Sequence, residues 1–164
     1  MKSSIVDKTY PILAFIFPLL IRSIPEILAW PWPIGFDTIF SYVPWIMNGY
    51  PLNLDLMNML KRARLFPLLA LAANLLIRDP ILTVKVLGPI LYALLGLSIY
   101  LFARMVLIWS PRKSLFLVLI SSIYFLSLRI SWEMYRQMLG TIFLLLTLTA
   151  HHTQKPKALP LTIV

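Results

Sequence analysis

Apolar stretches recur along the whole chain, and this limits the fold more than any motif does. From Val86 to Ala103 no residue carries a charge, and similar runs lie on either side. Inside lipid every backbone N–H and C=O must be satisfied by the chain itself, so spanning segments are helices unless they close a barrel. The chain is 60% hydrophobic and 13% charged, with a mean hydropathy of +0.84. Soluble domains are nearer half apolar and a quarter charged. The sequence therefore predicts an all-α polytopic membrane protein.

Four spans are expected, at about 10–29, 80–103, 114–128 and 135–150. The N-terminal run ends in Arg22 with no small-residue cleavage site after it, which favours a retained first helix over a signal peptide. Arg22 and Glu26 lie four apart on one face of that helix. The simplest account is a self-neutralising pair near one interface, with Pro25 bending or ending the helix. Asp79-Pro80 and Ser110-Pro111 each place an N-cap before a proline at the first helical position. Ser131 is the expected cap of the last helix, with Glu133 in its first turn. The polar tail 151–164 begins with His151 and His152, which have no further ligands nearby in sequence.

Residues 30–79 form a long loop between the first two clear spans. Its proline-rich start is too broken to face lipid. Asp55 is placed to cap a short amphipathic helix, with Leu56, Met59, Leu60 and Ala63 on one side and Asn58, Lys61 and Arg62 on another. Residues 65–77 are apolar, but as a helix they reach only about 20 Å, short of the roughly 30 Å hydrocarbon core.

Whether 65–77 crosses decides the topology. With four spans and a cytoplasmic N-terminus, Lys2, Lys8, Arg104, Arg112, Lys113, Lys155 and Lys157 lie inside. Lys61, Arg62, Arg64, Arg78, Lys85, Arg129 and Arg136 lie outside, so the count is seven against seven. Five spans give six inside against eight outside, contrary to the positive-inside tendency. The four-span arrangement also puts Asp37 and Glu133 on the same, outer face.

The net charge is +9, from 15 Lys and Arg against 6 Asp and Glu. The basic residues punctuate apolar runs, which points to headgroup flanking in the lipid bilayer and away from nucleic acid. There is no cysteine, hence no disulfide, thiolate metal site or cysteine nucleophile. No phosphate loop, dinucleotide, zinc or Ser-His-Asp signature is present.

An N-terminal span ending in Pro25-Glu26 is followed by "PWPIGFDTIFSYVPW" (31–45) and, much later, by "RISWEMYRQMLG" (129–140). Together these resemble the N-terminal part of archaeal glycosyltransferase-C membrane proteins, relatives of oligosaccharyltransferases and dolichyl-phosphate-mannose-dependent mannosyltransferases. The resemblance implies interfacial helices at 56–77 within the first external loop. It implies that Asp37 and Glu133 are catalytic acids at the outer face of the cell membrane. Arg129 and Arg136 would hold the phosphate of a polyprenyl-phosphate-linked sugar, with Tyr42 in the substrate site. Glu133 could instead bind a divalent cation such as Mg or Mn. Members of the family are longer, so the resemblance also implies a truncated or split form, its missing helices supplied by a second chain. Asp37 could equally be a helix cap, and Glu133 a counterion to Arg129 and Arg136. On that account the chain is a non-catalytic membrane scaffold or accessory subunit.

Overall fold

Asp79 starts the longest helix as the sequence predicts. In the computed structural model, which describes residues 5–48 and 65–153, its backbone is extended, and its carboxylate accepts from the amides of Ile81 (2.8 Å) and Leu82 (3.1 Å). Ser110 does the same for Lys113 (3.4 Å). Every described element is helical. They are α1 (Ile5–Leu28), a π-helical turn (Thr38–Tyr42) running into α2 (Val43–Met47), α3 (Leu65–Ile77), α4 (Pro80–Met105), α5 (Pro111–Ile123), α6 (Phe125–Glu133) and α7 (Tyr135–His152). The expected Asp55-capped helix and the tail beyond Thr153 lie outside the described residues.

Among the described residues, two helices are long and apolar enough to cross a membrane, Thr9–Leu28 within α1 and all of α4; α5 with α6 makes a third if that bent pair is one span. At about 1.5 Å per residue, the 26 residues of α4 reach about 39 Å. α3 has 13 residues and falls short of that test.

α4 is the centre of the bundle, packed by α1, α5 and α7. The inner face of α1 is a ridge of every fourth residue, namely Ala14, Pro18, Arg22 and Glu26, all buried. Ile12, Leu13, Ile16, Leu20, Ile24 and Ile27 point outward. The ridge runs antiparallel to α4. Ala14 and Pro18 meet Gly96, and Arg22 meets Gly88. Small residues permit this approach, as they do between helices in lipid.

The chain departs from the sequence reading at three points. Pro25 does not end α1, which runs on to Leu28 with the amide of Ala29 on the Pro25 carbonyl at 2.9 Å. A proline removes one ladder bond, and here the residues on either side of it, Arg22 and Glu26, are fixed by burial.

The span expected at 114–128 is interrupted at Tyr124, whose extended backbone turns the chain by 70° between α5 and the second half of α6. Ser121 and Ser122 bond back to carbonyls of the preceding turn at 2.8 and 2.6 Å, a pattern that bends helices. From α4, the Tyr92 hydroxyl donates to the Ser122 carbonyl freed by the break, at 2.9 Å.

Ser131 does not cap the last helix. It lies within α6, donating to the Leu128 carbonyl (2.6 Å), and Glu133 is the last residue of α6. α7 begins only at Tyr135, after a break at Met134 that has no side-chain cap. Both misassignments arise because Met134 interrupts an otherwise helical sequence.

A Cβ at Gly96 would lie 2.5 Å from Pro18 Cγ and 2.7 Å from the Ala14 carbonyl oxygen. Gly96→Val should therefore cost at least the ~1–3 kcal/mol of ordinary overpacking, because backbone cannot move aside like a side-chain tip. Thermal unfolding in detergent checks this, with Gly140→Val as the control: a Cβ at Gly140 meets nothing within 4 Å.

Candidate functional site

Arg22 is fully buried and Glu26 is 3% exposed. Charges at such depth are held only with partners, and theirs come from four other segments. The Arg22 guanidinium lies 2.6 Å from Glu26 Oε1. It also donates to the Tyr135 hydroxyl (3.3 Å) and, through Nε, to the Ser131 carbonyl (3.4 Å). From α4, Lys85 Nζ lies 3.4 Å from Glu26 Oε2. It donates to the backbone carbonyls of Glu26 (2.6 Å) and Trp32 (2.8 Å). Glu26 Oε2 in turn accepts from the amide of Ile34 at 3.3 Å.

The expected self-neutralising pair is thus a buried triad of two cations and one carboxylate. Sequence reasoning counted Lys85 among the flanking charges. The available signal was its position more than a turn inside α4, three residues before Gly88 on the same face. Two donors, Arg22 Nη1 and Trp132 Nε1, are buried with no hydrogen-bond partner among the described residues.

The triad holds down the loop that carries Asp37. Lys85 takes the carbonyl of Trp32, and Glu26 the amide of Ile34. Gly35 then adopts φ +109°, a left-handed conformation that favours glycine. A Cβ there would come within 2.1 Å of the Trp132 carbonyl oxygen. Beyond Asp37 the Thr38 hydroxyl donates to that same carbonyl at 2.8 Å. The Tyr42 hydroxyl donates to the carbonyl of Glu133 at 3.2 Å. The last three carbonyls of α6 are therefore met in order by Arg22, Thr38 and Tyr42.

Of the residues singled out in the sequence, Asp37 is exposed. Its backbone is already helical and its side chain makes no cap bond. Capping needs the extended backbone that Asp79 has and Asp37 lacks, so the capping account of this carboxylate does not hold. Glu133 is partly exposed and lies 3.8 Å from Arg129, itself largely exposed. The Arg136 guanidinium lies 5.4 Å from the centre of the Trp45 ring.

Tyr42 is buried. It stacks on Tyr135 at 5.2 Å and meets Phe66 and Trp45 edge-on at 4.9 and 5.5 Å. Burial pushes its phenol above the ordinary 10.0, partly offset by Arg136, so it remains a neutral donor. Tyr42 thus braces this end from inside, while Asp37, Glu133, Arg129 and Arg136 are each at least partly exposed. Sequence reasoning missed Lys85, Thr38 and Tyr135 as parts of this assembly.

No three His, Asp or Glu side chains converge among the described residues. Glu133 already faces Arg129, so a divalent cation would find no protein cage there. Comparison of the chain with protein families, with curated proteins and with solved structures gives no match.

Glu26→Gln should destabilise the protein by about 3–5 kcal/mol, the usual cost of stranding buried charge, because it leaves both Arg22 and Lys85 without a carboxylate. Adding Lys85→Met to Glu26→Gln should recover less than half of the loss, because Arg22 remains a stranded charge. A double-mutant cycle by thermal unfolding reads both. Simple additivity would show that Lys85 and Glu26 are not coupled.

Proposed function

We propose that the chain is a glycosyltransferase-C-like integral membrane protein that acts in sugar transfer from a polyprenyl-phosphate donor at the outer membrane face. The observation that carries this is the 2.8 Å bond from Thr38 to the Trp132 carbonyl. It ties the Asp37 loop to the segment bearing Glu133, with Arg129 and Arg136 alongside. In this reading the chain crosses four times, at 10–29, 80–103, the bent α5–α6 pair and α7. Residues 65–77 do not cross, and the N-terminus is cytoplasmic.

The chemistry follows from charge. An acceptor hydroxyl attacks the anomeric carbon of the donor sugar. The bond from that carbon to the phosphate oxygen breaks, and the polyprenyl phosphate leaves with the electron pair. Asp37, exposed and free of cap bonds, takes the acceptor's proton. Arg129 and Arg136 receive the growing phosphate charge, a role suited to guanidinium. Glu133 orients Arg129 rather than meeting the sugar.

One observation favours the alternative, a scaffold or accessory subunit. Glu133 is already close to Arg129 and the Tyr42 hydroxyl is committed to backbone, which leaves Asp37 as the one carboxylate of the site without such a partner.

Membranes containing the chain and a radiolabelled polyprenyl-phosphate mannose separate the two readings. The enzyme reading expects release of polyprenyl phosphate, reduced about 100-fold or more by Asp37→Asn. Donor retention should persist in Asp37→Asn and fall in Arg129→Gln with Arg136→Gln. Retention without release in the wild type would favour the accessory role, and no retention would end both donor-based readings.

Topology is tested separately, at exposed positions. Single cysteines at Phe36, 66% exposed, and Met134, 40% exposed, should react with an impermeant maleimide from outside the cell. A cysteine at Ile108, 79% exposed at the other end of α4, should react only after permeabilisation. Reaction of Phe36→Cys and Met134→Cys from opposite sides would rule out a shared site.

A further inference from the structure

The far end of the bundle, where α4 ends and α5 begins, has a groove of about 490 Å³ lined by Trp109, Lys113, Phe116, Leu117 and Ile120. Four of these lie at i, i+3, i+4 and i+7 of α5, an apolar stripe about 10 Å long with a lysine at its head. Phe116 and Ile120 are 63% and 52% exposed, so the stripe is open to a long apolar chain.

The head of the stripe is built, not loose. After α4 the chain folds back so that the Trp109 amide donates to the Ala103 carbonyl (3.0 Å) and Arg104 donates to the Trp109 carbonyl. Ile108 takes a positive φ of 55° to make this turn. The turn sets the Trp109 ring as one wall of the groove, against the first turn of α5. Arg112 and Lys113 extend from that turn, exposed, at the positive end of the helix dipole.

The charge here is one-sided. Between Asp79 and Glu133 the sequence contains no acid, so Arg104, Arg112 and Lys113 have no counterion on their own elements. None of the three forms an ion pair among the described residues. Asp7 is the one acid on the first turns of α1, which packs beside this end, and Lys8 follows it directly in sequence. Cations at the head of an apolar groove match a ligand with an anionic head and a hydrocarbon tail.

We propose that this groove binds an anionic phospholipid, its phosphate against Lys113 and Arg112 and one acyl chain along Phe116, Leu117 and Ile120. Trp109 stands at headgroup level, where indole rings concentrate. The site is independent of the Asp37 assembly, which lies at the opposite end of α1 and α4. The proposal therefore stands whether or not that assembly transfers sugar.

The test uses the full chain in neutral detergent, offered equal amounts of phosphatidylglycerol and phosphatidylcholine, with bound lipid counted by native mass spectrometry. Phosphatidylglycerol should be retained preferentially, and the preference should fall about 5-fold for each charge removed in Arg112→Gln and Lys113→Gln. Both residues are exposed, so the variants keep the fold. Phe116→Gln should reduce retention of phosphatidylglycerol with both cations intact. Arg78→Gln removes an exposed arginine at the opposite end and should leave the preference unchanged. Equal retention of the two lipids would overturn the proposal. So would an unchanged preference in the double variant, an equal loss in Arg78→Gln, or full displacement of the lipid by inorganic phosphate.

Discussion

Three carbonyls at the end of α6 organise one end of this protein. The break at Met134 deprives Ser131, Trp132 and Glu133 of helical donors for their C=O groups, and buried carbonyls without partners are costly. Each is met by a side chain about ninety or more positions away in sequence: Arg22 from α1, and Thr38 and Tyr42 from the two ends of the π-helical turn that follows the loop. A defect in one helix is thus the docking surface for two other segments. Remove the break, and α1 and the Asp37 loop lose their common attachment.

The buried triad acts on the same loop from the other side. Replacing a buried ion pair by apolar residues is often neutral or stabilising, so the Arg22–Glu26–Lys85 cluster is poorly explained as a source of stability. Its geometry suggests what it does instead. Lys85 and Glu26 each spend a hydrogen bond on loop backbone, at Trp32 and Ile34. An apolar replacement could fill the volume, but it could not hold a loop that has no ladder of its own. Gly35 completes the seating, since any Cβ there collides with the Trp132 carbonyl.

This division explains what could be read from sequence. Features set by neighbours in the chain were legible. The Asp79 and Ser110 caps hold, the apolar runs form the helices of the bundle, and 65–77 is a helix of 13 residues. Features set across the fold were not. The bend at Tyr124 depends partly on Tyr92 from α4, and Ser131 has a cap-like setting in sequence that the break at Met134 overrides. Asp37 shows the limit most clearly, because "GFDTIF" has the form of a capping motif. The backbone at Asp37 is already helical, and that leaves its carboxylate out of the backbone's hydrogen bonding.

The two ends of the molecule therefore solve opposite problems with the same residue types. At the Asp37 end, Arg22 and Lys85 are drawn inward to carbonyls and one carboxylate, while Arg78, Arg129 and Arg136 remain at the surface. At the other end no acid lies in α4 or α5 to draw them in, and Arg112 and Lys113 stay exposed at the head of an apolar groove. Net charge alone could not separate these cases. The position of the acids does: among the described residues, the buried cations Arg22 and Lys85 both face Glu26, while Arg112 and Lys113, with no acid on their own helix, remain exposed.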